Sequence, residues 1–302
     1  MTDMTQDLTF AARSQWWDVW EQFKTHRGAL FGMIVFATIL AVCFIGPLIW
    51  PVDASTVNIG ARNQGMSLAH PFGTDQLGRD LFARLMMGGR ISLVVGSAAM
   101  ILSIVIGTAV GMISGFFRLV DGVLMRLTDL FLALPLLPLL LVLSMLFRDP
   151  LSAVFGVELG TLLLIVAAIS LTSWMGTARV VRSDVLTLKE REFVLAARSI
   201  GVPTWRIMPR HILPNVLSSI MVSATLMMAT AIMTESALSF LGLGFPPEFA
   251  TWGRLVSDGI DYLQDYPGRA ILPGFLISLT VLSINYIGDG LRDALDPRIR
   301  GH

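Results

Sequence analysis

The chain has 302 residues, of which 54% are hydrophobic and 15% are charged, and its mean hydropathy is +0.70. Soluble proteins carry about 25% charged residues, and the uncharged runs in this chain are too long to fit together inside a soluble core. The 22 basic and 22 acidic residues give zero net charge, so no basic surface indicates nucleic-acid binding. The composition predicts an all-α integral membrane protein.

The sequence has few motifs typical of an enzyme or of a cofactor site. A single cysteine, Cys43, excludes an intrachain disulfide framework, and the four histidines are too far apart for a metal-binding pair. Gly73-x4-Gly78 resembles the start of a phosphate-binding loop, but Arg79-Asp80 follows where Lys and Ser or Thr are needed. We therefore expect no catalytic residue, no metal and no cofactor in this chain.

Six runs are apolar enough and long enough to cross a bilayer as helices, which needs about 20 residues each. Residues 1–28 place acidic residues among tryptophans and lack the basic-then-apolar order of a signal peptide. We therefore expect the first run to be a retained anchor. The six predicted spans are 29–50, 91–117, 123–147, 159–178, 212–241 and 270–291.

The distribution of Lys and Arg predicts the orientation. Most of the 22 basic residues face the cytoplasm if both chain ends lie there, as the positive-inside rule favours. The predicted organisation is then a cytoplasmic segment 1–28, a membrane domain 29–291 and a cytoplasmic tail 292–302. Three loops are long enough to carry function: outer segment 51–90, cytoplasmic loop 179–211 and outer loop 242–269.

Small residues mark one face of the second span. Gly107, Gly111 and Gly115 recur every four residues, and such a face lets another helix approach closely in lipid. Packing within the chain is the favoured interpretation, and a contact with another subunit is the alternative. In both cases the second span is an inner helix of the bundle.

Glu235 is the only acidic residue deep in a predicted span. An ionisable group at that depth normally faces a cavity or a polar partner. We therefore consider a cavity or gate role. The alternative is that the fifth span ends early and that Glu235 caps a broken helix near the outer interface.

The cytoplasmic loop 179–211 predicts two short helices. Val194, Ala197, Ile200 and Gly201 suggest one small, apolar flank. Gly201 is suited to end the first helix, and the Val-Pro pair that follows starts another. The pattern favours a projection that docks on a protein partner over an amphipathic helix that lies on lipid headgroups.

The same loop resembles the EAA loop of ABC-importer permeases. Ala196-Ala197-x3-Gly201 followed by Leu213-Pro214 has that spacing.

The loop departs from the usual pattern at two positions, where Leu195 stands for Glu and His211 for an apolar residue. Glu192, one helical turn before Leu195, could make the polar contact instead.

Further motifs make the resemblance specific to the C-type permease subunit of the dipeptide/oligopeptide/nickel family. They are HPFGTDQLGRDLFARLMMGGRISL (70–93), HILPN (211–215), ESALSFLGLG (235–244), TWG (251–253) and GDGLRDALDP (288–297).

The resemblance implies six membrane helices in the type I importer arrangement, in the bacterial cytoplasmic (inner) membrane. It implies a related B-type permease as partner, two ATPase subunits that hydrolyse ATP, and an extracytoplasmic solute-binding protein. The coupling helix would lie in 192–210. Coupling would involve Glu192 as a polar contact, Ala196 and Ala197 as small packing positions, Gly201 as the turn, and Leu213 and Pro214 at the junction with the fifth span.

The substrate stays open between dipeptides, longer peptides, glutathione-like molecules, opine-like conjugates and nickel. Since no acidic or histidine cluster indicates a metal ion, a short peptide or peptide-like solute is the leading hypothesis. The main alternative function is a stand-alone secondary transporter driven by an ion gradient. It would need coupling carboxylates at mid-membrane depth, and only Glu235 qualifies.

Overall fold

The computed structural model describes residues 15–295, which are almost entirely helical. The predicted end segments 1–28 and 292–302 therefore lie partly outside the described residues. In chain order, the helices are α1 (Gln15–Thr25), α2 (Arg27–Ile49), α3 (Leu81–Phe116), α4 (Arg118–Ala133), α5 (Leu136–Phe155), α6 (Val157–Leu188), α7 (Glu192–Ser199), α8 (Thr204–Ile207), α9 (Leu213–Phe240), α10 (Trp252–Ile260) and α11 (Gly268–Leu295).

Helices α2, α3, α5, α6, α9 and α11 contain the six segments that are long and apolar enough to cross a membrane, which confirms the predicted count. Successive long helices run in opposite directions. We call the side that carries α1, α7, α8 and the end of α11 the terminal side, and the side that carries residues 50–80 and 241–267 the distal side. Lys189 Nζ donates to Gly115 O on the terminal side, and Arg148 donates to Leu243 O on the distal side.

The third membrane helix differs from its predicted bounds, 123–147. The chain is extended at Leu134 and Pro135, so α4 ends at Ala133 and the membrane-length helix α5 begins at Leu136. Pro135 has no N–H to donate and disfavours helical backbone at the residue before it. The prediction of one continuous third span was therefore wrong.

Helix α3 begins ten residues earlier than its predicted span. Asp80 starts it, since the Asp80 carboxylate accepts a hydrogen bond from Ala83 N at 2.6 Å, as N-cap residues do. The helix continues through Arg84, which is buried next to the Asp75 carboxylate. The outer segment, predicted as 51–90, therefore ends at Asp80.

The closest packing in the bundle joins α3 to α6. Gly107, Gly111 and Gly115 face α6 at consecutive turns. A Cβ atom at Gly107 would lie 2.6 Å from Trp174 O, and one at Gly111 would lie 2.6 Å from Ala178 O. Real Cβ atoms do not approach a carbonyl this closely. The glycine face therefore serves packing within the chain and brings two membrane helices into backbone contact.

Two ion pairs hold α4 against the terminal half of α6. Asp121 accepts hydrogen bonds from both Nε and Nη2 of Arg182, and Asp129 forms an ion pair with Arg179. The bidentate Asp121 pair fixes direction as well as distance, and the hydrogen bonds from Arg182 lower the pKa of Asp121. Helix α6 therefore carries α4 on one flank and α3 on another.

We expect Gly111→Ala to destabilise the protein by about 1–3 kcal/mol, because the added methyl group overpacks a rigid backbone contact. The same change at Gly122 in α4, where nothing lies within 4 Å, should instead stabilise it by about 0.5–1 kcal/mol through helix propensity. Thermal unfolding of the two variants in detergent checks the pair. Equal melting temperatures would contradict the packing account.

Candidate functional site

The segment between α6 and α9 forms a knob on the terminal side, which we define as residues 189–212. Its inner surface is apolar: Val194, Ala197 and Ile207 are buried and share one cluster with side chains of α3, α6 and α9. Such a cluster resists deformation, because packed interiors have low compressibility. The knob is therefore attached firmly to the two membrane helices that enter and leave it.

The turn between α7 and α8 is built on Gly201, whose φ is +81°. Gly201 N donates to Arg198 O at 2.9 Å, and Val202 N donates to Ala197 O at 3.0 Å. These two bonds form a Schellman motif, in which glycine takes the left-handed position at no steric cost. Gly201 therefore ends the helix as predicted.

Large apolar side chains cover the outer surface of the knob. Ile200 is 81% exposed and Trp205 is 67% exposed, and Phe193 and Leu195 are each 43% exposed. The Arg206 guanidinium lies 4.7 Å from the Trp205 ring centroid. Clusters of this kind mark protein interaction sites, and aromatic and arginine side chains often dominate their binding energy.

One prediction about this surface was wrong. Ile200 was expected on the buried flank with Val194 and Ala197, but it is the most exposed of the large hydrophobic residues in the knob. At 100° per residue, position 200 is turned about 120° away from position 194. The helical wheel could have shown this, and it could have drawn attention to Trp205, which the sequence analysis also left out.

The six residues predicted for coupling do not share one surface. Glu192 and Ala196 are exposed on α7, but Ala197 is buried. Leu213 and Pro214 form the first turn of α9.

The knob is also held to the end of α3. Lys189 Nζ donates to Gly115 O at 2.9 Å, and the Arg198 guanidinium stacks over the Phe116 ring at 4.9 Å. Both contacts bridge the knob to the helix that the glycine face joins to α6. A force applied to α7 therefore reaches α3, α6 and α9 together.

The distal side is organised around the buried carboxylate of Asp75. Asp75 Oδ2 accepts hydrogen bonds from Arg79 Nε at 2.7 Å and from Arg84 Nη1 at 2.6 Å. Asp75 Oδ1 accepts hydrogen bonds from the backbone N–H groups of Leu77 and Arg79. Burial raises the pKa of Asp75, but these hydrogen bonds and the two guanidinium charges outweigh it. The pKa therefore lies below its ordinary 3.8.

Arg84 and a third arginine, Arg269, tie this centre to the rest of the distal side. Arg84 Nη2 lies 3.6 Å from the carboxylate of Asp258 in α10. Arg269 at the start of α11 donates to Asn63 Oδ1 at 2.8 Å and to Thr74 O at 2.7 Å. Residues 50–80 are therefore fastened to α3, α10 and α11.

The glycines that resemble a phosphate-binding loop have a structural role here. Gly73 and Gly78 have φ values of +77° and +72°, and a Cβ at Gly78 would collide with Asn58 O. Both glycines make the tight turns that wrap residues 58–80 around Asp75.

Glu235 lies in α9 with no exposed surface. Its Oε1 accepts Ser239 Oγ at 2.7 Å, and the hydroxyls of Ser92, Ser236 and Thr251 surround the carboxyl group. Within residues 15–295, Oε2 has no hydrogen bond that meets normal geometry. The carboxyl group is thus enclosed by α3, the end of α9 and the start of α10. Helix α9 continues past Glu235 to Phe240, so the fifth span does not end early there, and the cavity or gate role of Glu235 stays a prediction.

A mixed-charge cleft of about 430 Å³ opens on the distal side. Arg90 of α3, Glu158 of α6 and Glu248 line it, together with residues 53–55, which include the exposed Asp53. No ion pair within residues 15–295 involves these three charged side chains. The sequence analysis did not connect them, because they come from three distant parts of the chain.

Comparison with known proteins identifies the family. Residues 103–301 match the family described as binding-protein-dependent transport system inner membrane component. The chain belongs to this family. Residues 14–68 also match the N-terminal TM domain of oligopeptide transport permease C, which agrees with the resemblance seen in the sequence.

Similar proteins cover nearly the whole chain. It is 40% identical to the oligopeptide transport system permease protein OppC of Bacillus subtilis (strain 168), over 95% of this chain and 91% of that protein. It is 38% identical to the dipeptide transport system permease protein DppC of Alkalihalophilus pseudofirmus (strain ATCC BAA-2126 / JCM 17055 / OF4), over 96% and 92%.

A solved structure shows the same fold. The MetNI methionine ABC transporter, solved in inward-facing conformations, contains a chain that matches 70% of this one with a TM-score of 0.56 and 17% identity; the match covers 97% of that chain. The chain thus has the type I permease fold, and its family makes it the inner-membrane permease component of a binding-protein-dependent transport system. The alternative of an ion-coupled secondary transporter is not supported.

We expect Asp75→Asn to destabilise the permease by about 3–5 kcal/mol, because two buried guanidinium groups lose their counter-charge. Since its pKa is lowered on folding, Asp75 contributes stability that is complete above pH 3.8 and is lost as the pH falls through the folded-state pKa. Thermal unfolding against pH should therefore show a loss in the wild type below pH 3.8, and Asp75→Asn should lack that component.

Asp53→Asn is the matched control for Asp75→Asn, since the pKa of Asp53 is also lowered, by hydrogen bonds from Ser55, although its carboxylate is exposed. Because the exposed Asp53 carboxylate is screened by solvent, Asp53→Asn should change the loss of stability below pH 3.8 far less than Asp75→Asn does. If Asp53→Asn removed the loss of stability below pH 3.8 and Asp75→Asn did not, Asp75 would not be the group that causes it.

A structural role for Glu235 in this packing predicts that Glu235→Gln keeps both stability and solute uptake near wild type at every pH, because the amide oxygen still accepts the hydrogen bond from Ser239. Glu235→Leu should cost about 1–3 kcal/mol by leaving buried hydroxyls without an acceptor. Uptake by reconstituted transporter across a pH series checks this. A pH dependence that disappears in Glu235→Gln would instead establish a gate.

Proposed function

We propose that this permease forms one half of a peptide-import path, paired with a related B-type permease, and that its knob docks on one of two ATPase subunits. The observation that carries the proposal is the exposed Ile200–Trp205 surface on a base packed into α3, α6 and α9. The terminal side then faces the cytoplasm, where ATP is available. The positive-inside distribution of Lys and Arg supports this orientation.

The knob transmits motion because its apolar base is packed against α3, α6 and α9. When the ATPase pair closes, the docked knob moves, and α6 and α9 move with it because they share its apolar base. The Gly107–Gly115 contact carries α3 along. This rigid-body displacement changes which side the path between the two permeases opens to, as in other domain-closure transitions.

Among the predicted coupling residues, the structure supports separate roles. Glu192 and Ala196 face outward and contact the ATPase in this proposal. Ala197 packs inward and seats α7 on the bundle, and Gly201 sets the angle between α7 and α8. Leu213 and Pro214 join the knob to α9.

Peptides are the proposed solute because the similar proteins are named as oligopeptide and dipeptide permeases. The distal cleft suits such a solute, since Arg90 offers a cation for a carboxylate and Glu158 and Glu248 offer anions for an ammonium group. A binding protein would deliver the peptide to this side. Residues 50–80 and the segment before α10 form the surface that receives it.

We expect Gly201→Val to fold and insert normally but to lose most ATPase co-purification and ATP-driven peptide uptake. A β-branched residue disfavours the left-handed conformation, so the α7–α8 angle must change, although nothing lies within 4 Å of the glycine. Size-exclusion chromatography, pull-down of the ATPase and uptake by proteoliposomes provide the measurements.

Gly242→Val is the matched control, since Gly242 has a φ of +77°, open space around it and the same turn at the distal end of α9. Its strain should be similar, but ATPase binding should stay at the wild-type level. If Gly201→Val retains both ATPase binding and uptake, the knob is not the coupling element.

A further inference from the structure

Helix α1 is a separate amphipathic element on the terminal side. The backbone is extended at His26, and the His26 Nδ1 atom accepts the N–H of Ala29 at 2.9 Å, which caps α2. This break lets α1 leave the axis of α2 and pack against the ends of α2 and α11. Val19 and Phe23 on its inner face are buried in a cluster with Ala29 and residues of α11.

The opposite face of α1 carries two tryptophans and a lysine, and the exposed Glu21 at its edge accepts a hydrogen bond from Trp17 Nε1 at 3.0 Å. Trp17 and Trp20 are 55% and 41% exposed, and Lys24 follows Trp20 by one helical turn. Lys24 Nζ lies 6.0 Å from the Trp17 ring centroid and 5.2 Å from that of Trp20. Spacings of three and four residues place the three side chains on one stripe.

The position of this stripe limits what can cover it. Helix α1 ends two residues before α2 begins, and α2 exposes Phe31 and Ile34 within its first two and a half turns. Those side chains face lipid in a spanning helix, so α1 lies at the depth where the hydrocarbon ends. The proposed ATPase-docking surface is built from α7 and α8, which share an apolar cluster with α3, α6 and α9, whereas α1 shares a different cluster with α2 and α11.

We propose that α1 is a membrane-interface anchor, in which Trp17 and Trp20 insert at the glycerol level of the phospholipid layer and Lys24 binds lipid phosphate. Indole rings are apolar bodies with one N–H donor and concentrate at this level. A lysine beside them keeps its stem in the apolar layer and its ammonium group among the phosphates. The anchor holds the α2–α11 edge at a fixed depth while the knob moves.

The test uses the full chain in phospholipid nanodiscs, with Cys43→Ser and a single nitroxide at Glu21→Cys. Glu21 is exposed at the edge of the tryptophan stripe. Power-saturation EPR compares collisions with oxygen, which partitions into lipid, and with a water-soluble nickel chelate. Labels at Ile34→Cys and Ser199→Cys give the hydrocarbon and water references, since both native residues are exposed on a span and on the knob.

The anchor predicts an oxygen-to-nickel collision ratio at position 21 between those of the two references. Trp17→Ser with Trp20→Ser should shift that ratio to the value at Ser199, and Lys24→Glu should shift it in the same direction. Trp205→Ser on the knob is the matched tryptophan control and should leave it unchanged. Elution volume by size exclusion confirms that each variant is folded.

Two results would overturn the anchor. One is a label at position 21 that is as accessible to nickel as the label at Ser199 while both tryptophans are present. The other is a label at position 21 that neither oxygen nor the nickel chelate reaches in the assembled transporter. That result would mean that a protein partner covers the stripe.

Discussion

The backbone contact between α3 and α6 is the constraint on which the rest of the bundle depends. Because Gly107, Gly111 and Gly115 have no side chains, two membrane helices approach closely enough for the carbonyls of α6 to touch α3. Helix α6 then leads directly into the knob, and the knob packs back on α3 and α9. One rigid unit therefore extends from the distal side of the membrane to the outer surface of the knob.

Buried polar groups complete this unit at its distal end. The Asp75 carboxylate accepts hydrogen bonds from two arginines. Near the distal end of α9, Glu235 accepts a hydrogen bond from the Ser239 hydroxyl. Unpaired charges would be costly at these depths, so each group fixes the elements that surround it. The terminal side uses exposed apolar side chains instead, as expected where another protein docks.

Much of this architecture could be predicted from the sequence, because uncharged runs of about 20 residues give the spans and a four-residue glycine repeat gives the closest helix face. The misplaced boundaries have clear physical causes. Helix α3 begins before the predicted span because Asp75, nine positions before Arg84, pairs with that buried arginine. Pro135 divides an otherwise apolar run. The exposure of Ile200 depended on helical phase rather than on composition. The cleft around Arg90 could not be predicted, since its charges come from separate parts of the chain.

The central claim is that the knob and the distal end of α6 move together. Nitroxides at Ser199→Cys and Glu158→Cys, in a Cys43→Ser background and in the assembled transporter, allow this distance to be measured by pulsed EPR with and without ATP. The account predicts that the distance within the chain stays constant while the distance from Glu158→Cys to a label on the partner permease changes. A change of about 5 Å or more within the chain, which is one helical turn, would contradict it.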